Sequence, residues 1–197
     1  MNWAVELSKT KEPSEGQANL FGVIIYTNAH PHIKKVLRDE DYWQALDEVS
    51  GPRWSVYAIR ATEGTHGLPK LPPGHVGMMF PVWKEPKANK ELLELFGLSS
   101  TENLPVIVVF AQNEDGDIYQ NIVDVDDSTE EQAYKSMSEV LTVVAQALEK
   151  ISSENLQTNV NAFHAVSYSI KNYKEWRRIK KGASILTKLG PLAKVFR

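Results

Sequence analysis

No cysteine occurs anywhere in the chain. That excludes disulfides, a cysteine nucleophile and any thiolate-held metal. Long apolar runs are missing too: no stretch approaches the roughly 20 residues of a membrane-spanning helix. The opening, MNWAVELSKTKEPSEGQAN, has no basic stretch leading into an apolar one, so no signal peptide is expected and the expected address is the cytoplasm. There is no phosphate-binding P-loop, no dinucleotide glycine fingerprint, no GxSxG and no HExxH. The spacing of an EF-hand is also absent. No cofactor and no metal-ligand set is assigned from these residues.

What is present is ordinary in bulk and uneven in detail. The chain has 197 residues, 42% hydrophobic and 24% charged, a composition typical of globular domains. This length suits one domain, or one domain with an extension, and it allows burial of roughly 70% of the surface of the unfolded chain. Net charge is −3, but the basic residues crowd at one end. Residues 160–197 hold Lys171, Lys174, Arg177, Arg178, Lys180, Lys181, Lys188, Lys194 and Arg197 against the single acid Glu175. The tail is therefore strongly basic and the body strongly acidic, which marks the tail as a unit with surroundings of its own.

Read along its length, the chain divides into a lead-in (1–19, flexible or a short strand over Met1–Leu7), a body (20–155) and a basic amphipathic extension (156–197). Leu20–Thr27 (LFGVIIYT) is a continuous β-rich run suited to a central strand. A polar loop, Asn28-Ala29-His30-Pro31-His32, follows. Asp39 caps a helix over about 40–50, with Trp43, Leu46 and Val49 on one side and Gly51-Pro52 as its stop. Trp54–Ala61 is a second strand. Residues 62–87 form a long Gly/Pro/Lys-rich connection without structure of its own. Asn89 caps a helix to Phe96, with Gly97 as its C′ glycine. Pro105 opens a third strand to Phe110, and Asp115-Gly116 turns into a fourth, Ile118–Val125. Ser128-Thr129-Glu130-Glu131 reads as a capping box. Tyr134, Met137, Leu141, Val144, Leu148 and Ile151 then form one helical stripe.

This order, with Phe96-Gly97-Leu98-Ser99-Ser100-Thr101-Glu102-Asn103-Leu104-Pro105 leading into VIVVF, resembles the thioredoxin-like superfamily over about residues 20–151. It is similar to the non-catalytic domains of protein disulfide isomerases. The resemblance implies an α/β fold, a mixed four-to-five-stranded sheet flanked by helices, here with a basic helical C-terminal extension. It also implies a cis Leu104–Pro105 bond beside the binding site. Where redox members carry CxxC, this chain has His30-Pro31-His32-Ile33. Disulfide exchange needs a thiolate, so thiol redox activity does not carry over.

The expected binding edge comprises His30, Pro31, His32, Phe80, Trp83, Leu104 and Pro105. Met78, Met79, Phe80, Val82 and Trp83 read either as an apolar lip over that edge or as side chains folded back into the core. His66 and His75, in the long connection, could join His30 and His32 there, which leaves open an enzyme with a histidine-lined, metal-dependent site. Asp124-Val125-Asp126-Asp127 is expected to place negative charge at the N-terminus of the following helix. A second surface is expected on Lys171, Lys174, Trp176, Arg177, Arg178, Lys180 and Lys181. It could dock on the acidic body of its own chain, self-associate, or bind an unidentified protein or a membrane surface. Nucleic acid is disfavoured by the acidic body. The leading expectation is a redox-inactive binding or accessory protein.

Overall fold

The computed structural model describes residues 16–61, 79–82, 93–98, 103–113, 115–152, 156 and 159–189; side chains are described for all of these except 79–82, 159–160 and 181–189. The elements are β1 (Phe21–Thr27), α1 (Pro31–Val36), α2 (Glu40–Ser50), β2 (Ser55–Ala61), β3 (Met79–Val82), β4 (Val106–Gln112), β5 (Ile118–Asp124), α3 (Glu130–Glu149) and α4 (Asn159–Leu189). They form an α/β architecture around a mixed sheet of order β3-β2-β1-β4-β5. β1, β2 and β3 run parallel, while β4 and β5 are antiparallel to their neighbours.

β1 is the centre of the sheet, and its unbroken apolar run is buried on both faces. Ile24 and Tyr26 point into one core with Val56, Ala58, Ile107 and Val109. Phe21, Val23 and Ile25 point into the other, with Tyr57, Ile59, Val106, Val108 and Phe110. Each fully buried aliphatic side chain stabilises by roughly 1.5–3 kcal/mol relative to exposure. Gly22 has a steric reason. A Cβ there would lie 2.6 Å from the ring of Trp54, a fully buried side chain held by its Nε1–H donating to the Ser50 carbonyl at 2.7 Å.

Helices cover the first core. α3 lies at its centre, with Met137, Leu141, Val144 and Leu148 of the expected stripe buried and Tyr134 and Ile151 packed at its margins. α1, α2 and α4 all pack against it. The capping residue is Thr129, whose hydroxyl accepts from the Gln132 amide at 3.1 Å, one position later than the Ser128–Glu131 box anticipated. Asp39 caps α2 through Asp41 N–H and Tyr42 N–H.

The second core is closed by the short helical turn at 93–95 with Phe96, Leu98 and Leu104. Leu98 N–H donates to the Leu93 carbonyl and Gly97 N–H to that of Glu94, with Gly97 at φ 65°. This is the paired bonding of a Schellman helix end, in which the C′ residue takes a left-handed conformation that costs glycine little. The Asn89 cap lies outside the described residues.

Three expectations change. The connection after β2 is not structureless, because Met79–Val82 pairs in parallel with Val56–Ile59 and adds an edge strand. Pro81 suits an edge, where one side of the strand needs no N–H donor. The extra strand anticipated at Met1–Leu7 lies outside the described residues. Pro31 and His32 sit not in a loop but in the first turn of α1, with Pro31 at its start, where a missing N–H costs nothing. The chain after 156 does not begin as a detached tail: Leu156, Ala162, Phe163, Val166, Ile170 and Tyr173 belong to the first core.

Candidate functional site

Pairing places the candidate residues at one end of the sheet. β1 ends at Thr27, and Ile25 lies opposite Val106, so Pro105 enters the sheet beside the exit of β1. The C-terminal end of β2 lies at this same end, because Thr27 pairs with Ala61. β5 also finishes here, with Asp124 opposite Val106. Val125 N–H donates to the Pro105 carbonyl at 3.0 Å. The Leu104–Pro105 peptide bond is cis, as the resemblance implied. Leu104 itself is buried in the second core, so its side chain offers no surface to a partner.

The turn after β1 is held by its own side chains. Thr27 N–H donates to His30 Nδ1 at 2.9 Å, and Thr27 Oγ1 lies 3.0 Å from the same nitrogen. Accepting an amide proton commits Nδ1 as a lone pair, so in the neutral ring the proton sits on Nε2. Ala29 N–H donates to Thr27 Oγ1. His32, half-buried, follows Pro31 in α1.

Asp127 has a role that sequence reasoning missed: besides standing just before the Thr129 cap of α3, its Oδ1 accepts from Ile33 N–H at 2.7 Å and so caps α1 across 94 residues of chain. The acidic run is shared out: Asp126 accepts from Ser128 N–H, and its own N–H donates to Ser136 Oγ. Lys35 Nζ meets Glu130 Oε2 at 2.6 Å and ties α1 to the start of α3. That hydrogen bond, and then the charge of Glu130, hold the Lys35 ammonium above its ordinary pKa. The one advance signal of α1 was Pro31 followed by apolar Ile33 and Val36.

Beside this framework stand Lys34 of α1 and, past the end of that helix, Arg38. An open hollow of about 500 Å³ is lined by Asn28, Pro31, Lys34, Lys35, Arg38 and Asp39. Phe80 lies on β3 in register with Tyr57, its side chain not described. Trp83, His66 and His75 lie outside the described residues. Among the described residues no three His, Asp or Glu side chains gather as a metal site.

α4 brings the second set of candidates toward this sheet end. Phe163 packs on Tyr119, Ser167 Oγ donates to Asn121 Oδ1, and Arg177 Nη1 donates to the Asp124 carbonyl at 2.8 Å. The helix thus follows β5 toward the site end and continues to Leu189. Tyr173 O–H donates to Glu139 Oε2 at 2.9 Å. Burial, and then this bond to a carboxylate, push its phenol up to about 12. Lys171 and Arg178 are exposed and Lys174 half-exposed. Lys180 Nζ stands 4.7 Å over the Trp176 ring. Lys181 lies within the helix, its side chain not described. Tyr173, Trp176, Tyr134 and Val143 line a groove of about 560 Å³ between α3 and α4.

No family model, curated protein or solved structure matches the chain. Among the described residues, no helix is long and apolar enough to cross a membrane.

Proposed function

We propose that the chain is a redox-inactive, thioredoxin-like binding protein whose partner docks at the sheet end formed by Thr27–Arg38, Pro105 and the start of α3. The fold label is supported by the order of elements. A central strand leads through helices to a parallel neighbour, and a later antiparallel pair leads to a long helix packed on the same face as the first ones. Absence of cysteine removes thiol chemistry.

The observation that carries binding over catalysis is how the polar groups at this end are used. Asp127 and Glu130 tie α1 to the start of α3, and His30 Nδ1, Thr27 Oγ1 and Asp126 are engaged in bonds that hold their own turns. A general base or nucleophile must instead be aimed at a substrate. What the end presents outward is an open hollow lined by Lys34 and Arg38, with Lys35 already paired to Glu130 and Asp39 the one acid in the lining. Such a hollow suits an acidic segment of a protein partner, because charge complementarity steers encounter and sets register.

Parallel affinity capture with the intact chain and with K34E/R38E tests this reading. At least one protein retained by the intact chain and lost from the variant is the expected result. Identical captured sets from two equally folded baits would overturn it.

A further inference from the structure

α4 changes character along its length. Up to Tyr173 it is a core helix. From Lys174 to Lys180 no side chain is buried. Tyr168, Trp176 and Ile179 are 69%, 50% and 71% exposed. Tyr168 and Ile179 lie about three turns apart and so share one face, with Trp176 beside it. That face is opposite the one that buries Val166, Ile170 and Tyr173.

Lys171 and Arg178 border one edge of this outer face and Lys180, over the Trp176 ring, the other, while Lys174 lies on the flank nearer the core. Among the described residues Lys171, Lys174 and Arg178 form no ion pair, and Lys180 rests on the Trp176 ring. Apolar packing, together with the Tyr173 and Arg177 hydrogen bonds, holds α4 to the body. Apart from Arg177, the basic charge of the described helix is not consumed in that docking, although the rest of the chain is strongly acidic.

We infer that the outer face of α4 is a docking surface for an anionic lipid membrane, on which the helix lies flat with the body behind it. Three occupants could meet its charge, and the exposed apolar residues separate them. Nucleic acid offers phosphates but nothing to cover Ile179, and its phosphates repel an acidic body. The body of a second copy is acidic, but its only exposed large apolar residue outside α4, among the described residues, is Tyr119. A lipid interface supplies both requirements. Its boundary takes Tyr, Trp and Ile, and its anionic headgroups take lysine and arginine heads reaching out along their aliphatic stems. Glu175, on the same face, is the one opposing charge on the described helix beyond Tyr173.

Co-sedimentation of the full chain with vesicles tests this, comparing pure phosphatidylcholine with phosphatidylcholine containing phosphatidylserine. Binding to the anionic vesicles is expected to exceed that to neutral ones by at least about tenfold, and to weaken as salt is raised. W176A/I179A and R178E/K180E should each lose at least about tenfold in binding. Circular dichroism should show the fold retained, since all four side chains are off the core. Equal binding to both vesicle types would overturn the inference, as would unchanged binding by W176A/I179A. So would absence of vesicle binding, whether or not light scattering shows a doubled mass or the chain shifts DNA. Capture of a protein at the α1 hollow is a separate readout, so either proposal can fail without the other.

Discussion

Single side chains here act across long stretches of sequence, and Tyr173 is the clearest case. Its hydroxyl donates to Glu139 and its ring lies in the core. Substitution Y173F removes the bond and should cost about 1 kcal/mol at neutral pH. The pH dependence has a definite sign. The folded phenol titrates at about 12, whereas an unfolded one titrates near 10. The contribution is therefore whole below pH 10 and is lost as pH rises through 12. Urea midpoints followed by circular dichroism should show the Y173F deficit steady to about pH 10 and narrowing above it. A deficit that stayed constant to pH 12 would contradict the raised titration. Arg53 is another long-range tie, since Nη1 donates to both the Leu148 and Ile151 carbonyls and so closes the end of α3.

At the level of elements, α1 depends most on a residue remote in sequence. Six residues are too few to form a stable isolated helix, and His30 at its N-cap makes no capping bond through its side chain. Asp127 supplies that bond, and Lys35–Glu130 adds a second tie. Substitution D127A should cost about 1 kcal/mol, typical of a lost cap. The loss should be local: hydrogen exchange at Ile33 N–H should accelerate by about fivefold, which is that energy as an equilibrium ratio, while amides in β1 and β4 stay protected. Uniform acceleration through the sheet would mean that α1 is no separate opening unit.

For the molecule as a whole, the deciding feature is that half of α4 is core. Phe163, Val166 and Ile170 are buried, each worth roughly 1.5–3 kcal/mol, against a total stability of about 5–15 kcal/mol for a domain. A chain ending at residue 158 should therefore not unfold cooperatively in a thermal melt. One ending at Arg177 keeps Tyr173 and the Asp124 contact, and its midpoint should lie within about 3 °C of the full chain. A cooperative melt from the shorter chain at the full chain's midpoint would show that α4 contributes little. The same division explains why the basic extension reads as one segment yet acts as two: its first half is fixed by apolar packing and its second half is left to its charge.

Much of this was written locally. Leu20–Thr27 is a run of apolar, largely β-forming residues that only a doubly covered strand can bury. Asp39, Gly97 and the Tyr134–Ile151 periodicity mark helix ends and faces through interactions a few residues long, and zero cysteine leaves this chain without a thiol of its own. Other features depend on partners the local pattern does not contain. Met79–Val82 became a strand because the edge of β2 was open to pair with it. Asp127 caps α1 because the sheet brings the ends of β1 and β5 together. The outer face of α4 was defined only when Val166, Ile170 and Tyr173 found the core. Short-range capping and periodicity are properties of a segment, whereas strand pairing, distant caps and the choice of exposed face depend on which segments the folded chain brings into contact.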